Sequence, residues 1–291
     1  MREPGLDHLQ SWVGSSEEAN DVIDPRRVAQ MAATLGCAQE LASGDSLPMP
    51  WHWLFFTPIP QAQGTGRDGH PSRGGFLPPV PLPRRMWAGS SVVQHRPLQI
   101  GQPARRISTV ASVEAKQGRD GGLLFVTVDH ALYTGDSELA VEEQQHIVYR
   151  EPAPAAAAVG RAAADRDMPE LAAQWESPLT PDPILLFRYS ALTFNAHRIH
   201  YDLDYAMAQE GYPGLVVHGP LIASLLLQLA HDQLGGIVLR EFSFRARRPL
   251  FANATACLCG ARDGDMLTLW ALTPERELAM RLDAIIASDG S

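Results

Sequence analysis

Between Phe194 and Gly219 the sequence FNAHRIHYDLDYAMAQEGYPGLVVHG gathers Asn195, His197, Arg198, His200 and His218, and it runs straight into the mostly apolar stretch Pro220–Ala230. Histidine titrates nearest neutral pH, so three imidazoles beside an amide suit general acid–base chemistry. A single histidine is usually a satisfied core or surface residue; three ahead of one apolar helix are harder to read that way. A metal centre is the first rival, because His197 and His200 stand at i, i+3. No Cys, Asp or Glu stands at metalloprotease spacing and HExxH is absent, so no metal is expected. His218-Gly219-Pro220 opens the apolar helix. The first N–H groups of a helix lack intrahelical partners, and the helix dipole adds positive potential there. Glycine admits a ligand close to the backbone, and Pro220 suits the first helical turn. The step reads as a site for a carbonyl oxygen that gathers negative charge.

Those residues need a frame. With 291 residues, 45% apolar and 20% charged, the chain can bury a core without disulfide or metal staples. A net charge of −9 argues against a nucleic-acid binder with a broad basic surface. Lys116 is the single lysine, so nearly all cationic recognition falls to arginine, which grips carboxylate and phosphate bidentately. Cys37, Cys257 and Cys259 form no CxxC and no disulfide framework, and Cys257 and Cys259 would share one face of a strand. The N-terminus lacks a signal-peptide pattern and no apolar run reaches bilayer length, so no membrane association is expected and a reducing cytoplasm fits best.

Along the chain, Asp24-Pro25 caps a helix that carries Val28, Met31 and Leu35 on one stripe and is expected to span about 25–42. Alternating aromatics in Met49–Pro60 predict a short strand, and 61–86, rich in Gly and Pro, predicts a long irregular loop. Strands are expected at Ser91–Gln94, Ala104–Gln117, Gly121–Thr134 and Leu139–Tyr149, and an Ala/Pro-rich linker at 151–175. The second half repeats the theme: a strand at Ile184–Leu192, the histidine-bearing strap at 193–217 and a helix at 219–234. Strands follow at Val238–Arg248, Ala254–Gly260, Asp265–Leu272 and Leu278–Ala287, with Asp263-Gly264 as a hairpin turn. Each half is thus one helix plus four or five strands, an α+β pattern.

The segment Asn195-Ala196-His197-Arg198-Ile199-His200, followed by Val217-His218-Gly219, resembles the hydratase motif of MaoC-like enzymes with the hot-dog fold. The Thr-Phe-Asn-x-His-Arg-Ile-His-Tyr-Asp form, with the loop Gly75–Gly89, is similar to the subgroup of type 2 3-hydroxyacyl-thioester dehydratases and mesaconyl-CoA hydratases. The resemblance spans nearly the whole chain. It implies a double hot-dog, two antiparallel sheets each wrapped around a long helix: 1–150 a degenerate N-terminal domain, 151–175 a linker, 176–291 the catalytic domain.

The activity implied is reversible hydration of an α,β-unsaturated acyl-coenzyme A thioester, including dicarboxylic mesaconyl or itaconyl thioesters. His200 matches the family's catalytic histidine and Gly219 its carbonyl-binding N–H. Asn195 stands where the family has aspartate and His197 where it has asparagine. An amide cannot act as a base, so Asn195 is expected to hold water and His197 to be the second acid–base candidate. Tyr201 or Asp202 is expected to orient a histidine ring. Arg84, Arg85, Trp87, Arg198 and His218 are the substrate-binding candidates, the arginines as clamps for a second carboxylate. No cofactor is expected beyond the coenzyme A of the substrate, and a homodimer is left open as the assembly. Two other classes remain: a hot-dog thioesterase, and a non-catalytic acyl-binding partner subunit motivated by Asn195.

Overall fold

The computed structural model describes residues 5–118, 121–151 and 172–287. Its frame is one antiparallel sheet of β1 (Ser16–Val22), β2 (Arg84–Gln94), β3 (Pro103–Gly118), β4 (Gly121–Thr134), β5 (Leu139–Arg150), β6 (Trp175–Leu179), β7 (Leu239–Ala246), β8 (Ala256–Asp263), β9 (Met266–Leu272) and β10 (Leu278–Ile286). With it go α1 (Leu6–Gln10), α2 (Pro25–Leu35), α3 (Pro183–Leu192), α4 (Leu203–Ala208) and α5 (Gly219–Leu234).

The strand order is β1-β3-β4-β5-β2-β7-β10-β9-β8-β6. Read from either edge inward, the first, third, fourth, fifth and second strands of each half follow one another, and α2 and α5 each join a first strand to a second. The helix-plus-strands pattern seen twice in the sequence is therefore one topology used twice. The connections differ sharply. Residues 23–24 join β1 to α2 and 36–83 join α2 to β2, whereas 180–218 join β6 to α5 and 235–238 join α5 to β7.

The two expected sheets are continuous. β2 pairs with β7 from Gly89 opposite Arg245 to Val93 opposite Glu241. The approach needs glycine at 89, where a Cβ would stand 2.3 Å from the carbonyl oxygen of Phe244. The main core draws on both halves, with residues of α2, α5 and the strands of each. α5 buries residues all round, including Leu221, Ile222, Leu226, Leu227 and Leu229, whereas α2 buries only Val28 and Met31. A helix hydrophobic on every side has to be wrapped, and the sheet does this. No helix among the described residues is long and apolar enough to cross a membrane.

Several expectations need correction. α2 ends at Leu35 rather than near 42, because Gly36 takes a left-handed φ of 72° and its N–H closes onto the carbonyl of Ala32. Its start is as expected, with the Asp24 side chain accepting from the N–H of Arg26 at 2.8 Å. Asp24→Ala should cost about 1 kcal/mol, a small fall in thermal midpoint. Met49–Pro60 is not a strand: Trp51–Leu54 forms a 3-10 turn that drops Trp51, Leu54 and Phe55 into the core. β2 begins at Arg84, inside the stretch read as loop.

Ile184–Leu192 is helical, not extended. Asp182 accepts from the N–H of Leu185 at 2.7 Å, Pro183 starts the helix, and Leu186, Tyr189 and Ser190 make the buried face. The same Asp-Pro signal that marks α2 was outweighed by the β-like composition of Ile-Leu-Leu-Phe. The first strand of this half is β6 instead. The linker expected at 151–175 lies, except for its ends, outside the described residues. Cys257 and Cys259 do share one face of β8, with sulfurs 3.7 Å apart, and all three cysteines are free.

Candidate active site

α3, the strap and the mouth of α5 together position the imidazoles. The strap is not extended: it holds a 3-10 turn at Arg198–His200 and then α4. The turn is tied down by the N–H of Val216, which donates to the carbonyl of Ile199 at 2.9 Å. His200 Nδ1 lies 2.7 Å from the carbonyl oxygen of Val216. A carbonyl only accepts, so Nδ1 carries the hydrogen and Nε2 is left with its lone pair. Burial pushes the His200 pKa down to about 4, so the ring is neutral near pH 7. It stacks on His218 with centroids 3.6 Å apart at 19°.

His218 is held by α3. Its Nε2 is 2.9 Å from Ser190 Oγ and its ring is 4.9 Å from that of Tyr189, while its Nδ1 is buried without a partner among the described residues. Burial first, and the neighbouring His200 second, hold its pKa well below the usual imidazole value. Gly219 follows as the first residue of α5, so its N–H has no intrahelical acceptor.

Asn195 Oδ1 accepts from the N–H of His197 at 3.0 Å, which leaves the amide nitrogen as the group available to a ligand. His197 is buried; its ring lies 4.0 Å from His70 and 5.3 Å from His200. Burial, then His70, hold its pKa well down. Tyr201 and Asp202 orient no histidine. The Tyr201 hydroxyl donates to the carbonyl of Ala196, and Asp202 caps α4 through the N–H of Tyr205.

Asn195, His197, His200, His218 and Gly219 all line one cavity of about 1830 Å³, which also takes in Arg85 and Trp87. That volume exceeds the several hundred Å³ of a pocket for a compact ligand and suits a long one. Trp87 packs against Trp53 at 5.1 Å and donates to Ser90 Oγ at 2.9 Å.

Two of the three arginine clamps are engaged elsewhere. Arg84 is buried against Glu210, 2.8 Å from its Oε2, and hydrogen-bonds its backbone carbonyl. Arg198 pairs with Asp202 at 2.7 Å and lies 4.2 Å over the ring of Tyr205. Arg85 alone of the three faces the cavity.

Sequence reasoning missed the part of the site that comes from the loop before β2. Asp68-Gly69-His70 lies against the strap, with His70 Nδ1 3.1 Å from Asp68 Oδ2. One signal was available: a carboxylate and an imidazole two apart within a Gly/Pro-rich loop. In the lining of the same cavity, Glu143 accepts from Ser90 Oγ at 2.7 Å, His52 Nε2 at 2.9 Å and Trp53 Nε1 at 3.0 Å. Among the described residues, two groups have ligand atoms close enough to hold a cation: Asp68, His70 and His197, and, at the outer sheet edge, Glu176, Cys257 and Cys259.

Residues 50–252 match the family model described as hydroxyacyl-thioester dehydratase type 2. Over 272 residues, 93% of this chain and 95% of the relative, the sequence is 46% identical to the mesaconyl-C(4)-CoA hydratase of Chloroflexus aurantiacus. The crystal structure of a MaoC-like dehydratase from Phytophthora capsici superposes with a TM-score of 0.69 at 15% identity, covering 98% of this chain and 99% of that one. A conserved hypothetical protein of Mycobacterium tuberculosis, described as a double hotdog fold, gives 0.60 at 12% identity over 97% and 98%. The double hot-dog architecture is therefore the fold of this chain.

Proposed function

The chain belongs to the hydroxyacyl-thioester dehydratase type 2 family, and from that premise we propose that it adds water reversibly across the Cα=Cβ bond of an enoyl-coenzyme A thioester. The observation that carries this reading is one cavity shared by a neutral imidazole with a free Nε2, His200, and the open N-terminus of α5 at Gly219. The N–H of Gly219 donates to the thioester carbonyl oxygen, which draws electron density from Cβ and stabilises the enolate. His200 Nε2 draws on a hydrogen of the attacking water, and the amide nitrogen of Asn195 donates to its oxygen. Coenzyme A arrives and leaves with the substrate. Arg85 and Arg247 line the cavity of an otherwise acidic protein, which suits an anionic substrate, whereas Arg73 donates to the carbonyls of Leu82 and Pro83 and Arg248 pairs with Glu277 at 3.1 Å.

The name of the Chloroflexus relative points to a dicarboxylic acyl group. In such a substrate the free carboxylate sits one bond from the carbon that takes the hydroxyl, so its receptor must lie beside the water. Arg85 meets that requirement: it lines the cavity, and its charge acts on both His70 and His197. Arg85→Ala should raise KM for mesaconyl-C(4)-CoA by about 10–100-fold, the loss of one charge-assisted hydrogen bond. It should leave KM for crotonyl-CoA within about threefold. Loss of enoyl absorbance against a panel of mono- and dicarboxylic thioesters reads this out, with free thiol followed in parallel. Equal damage to both substrates would refute the dicarboxylate assignment, and stoichiometric thiol release would refute hydration in favour of hydrolysis.

A further inference from the structure

A hydration site built from the strap alone is incomplete. His200 can draw on water, but its Nδ1–H rests on a neutral carbonyl, and burial works against any charge the ring takes on. Asn195 supplies no carboxylate in place of the missing acid. The remaining imidazole of the strap, His197, is buried between the rings of His70 and His200 and burial works against its charge too, so within residues 193–219 no carboxylate backs a ring that takes a proton from water.

The loop before β2 offers one. Its fit on the strap is close: Gly69 has a φ of 88°, and a Cβ there would fall 1.8 Å from the carbonyl oxygen of Ala196. The N–H of Arg198 donates to the carbonyl of Asp68 at 2.9 Å, and Arg198 Nη1 donates to that of Arg67 at 3.1 Å. Within the loop, the N–H of His70 donates to Asp68 Oδ1 at 3.1 Å. Asp68 thus holds His70 by both backbone and ring. With Nδ1–H directed at the carboxylate, Nε2 keeps its lone pair, and the ring lines the same cavity as His200.

At rest the rings of His70 and His200 are both held to a pKa of about 4 by burial; what sets His70 apart is the carboxylate of Asp68, which raises it against burial and Arg85. Burial pushes the Asp68 carboxyl up, but the hydrogen bonds and charge of His70 outweigh it and leave the pKa below the usual value. Burial, then Arg85, push His70 down to about 4 despite the pull of Asp68. The resting pair is a carboxylate and a neutral imidazole, ready to accept one proton.

We propose that Asp68 and His70, carried in by the N-terminal half, form the proton-accepting pair that the strap lacks. This rests on the hydration reading above. Water lends one hydrogen to His200 Nε2 and the other to His70 Nε2. As the water oxygen bonds to Cβ, its O–H bond toward His70 breaks, and the π pair moves onto the thioester as an enolate. His70 then returns that proton to Cα as the enolate collapses. One water is added, and Asp68 remains a carboxylate that offsets the transient imidazolium. His70 is the catalytic residue and Asp68 its positioning residue.

The test uses the full chain, with hydration of the best enoyl thioester of the panel. His70→Gln should lower kcat about 100-fold and Asp68→Asn about tenfold, with KM within about threefold in both. An asparagine at 68 still accepts the ring N–H, so a purely structural Asp68 would leave kcat unchanged; circular dichroism verifies folding of each variant. Exchange of the Cα hydrogen of the hydroxyacyl product in D2O should fall in proportion to kcat. If wild type hydrates and both variants stay within threefold of it, the pair is refuted. Wild-type activity lost on dialysis against a chelator and restored by zinc alone would also refute it, making Asp68, His70 and His197 a ligand set. A wild type inert toward every enoyl thioester would instead overturn the hydration reading itself.

Discussion

His200→Ala should lower kcat for hydration by roughly 10³-fold while KM moves little. In the proposed reaction this side chain acts on the water rather than on the thioester, so its loss falls on the step in which water is polarised. Alanine also removes one face of the stack that keeps His218 at the head of α5. The pH profile sharpens the expectation. His200 must be neutral to work, and its pKa in the fold is about 4 against an ordinary 6.5. The acidic limb of kcat/KM should therefore lie near pH 4, provided the protein is still folded there. An acidic limb near 6.5, or a loss below tenfold in the variant, would mean that another group activates the water and would exclude His200 from that role.

The largest effect on stability is expected at Glu143, on β5. Burial alone would push this carboxyl up. The hydrogen bond and charge of His52 overcome it, with help from His130 and Ser90, and hold the pKa at about 2. The carboxylate joins β5 to Ser90 on β2 and to Trp53, whose ring packs on Trp87 and on Phe242 and Phe244 of β7. It therefore anchors the seam where the halves meet. Glu143→Ala leaves buried donors facing nothing and should cost about 3–5 kcal/mol, a fall in thermal midpoint on the order of 10 °C.

The same groups fix the pH dependence. Below about pH 6.5 the unfolded chain binds protons at His70 and His200 that the fold refuses until about 4. Below about 4.5 it does so at Glu143, which the fold refuses until about 2. Stability is thus lost as pH falls through each window, and acid unfolding of Glu143→Ala should lack the lower component. A variant whose denaturant midpoint matches wild type at pH 7 would show that the seam does not depend on this carboxylate.

The sequence disclosed what depends on local patterning. Asp24-Pro25 and His218-Gly219-Pro220 named the starts of α2 and α5, and Asp263-Gly264 named a turn whose glycine has a φ of 59°. Period-two alternation named most strands. It failed at Ile184–Leu192, where capping by Asp182 prevailed over β-like composition. It failed again at Met49–Pro60, where aromatics are spaced for a core rather than a sheet face. Within the site, His200, His197, His218, Asn195 and Gly219 could be found because they are near neighbours in the chain. Arg84 and Arg198 could not be told from Arg85, because Glu210 and Asp202 claim them only once the chain has folded. Asp68 and His70 carried only the weak signal of their spacing within a Gly/Pro-rich loop, because they lie more than a hundred residues from the groups they face.

The unequal connections explain that distance. One half lengthens the chain after its helix, at 36–83, and the other before its helix, at 180–218. Had two identical copies built this sheet, each insertion would occur twice, and every change to one cavity would be forced on its twin. Joined in one polypeptide, the halves escape that obligation. Each can lose what the other supplies, and a single composite pocket can be revised from either side without copying the revision elsewhere.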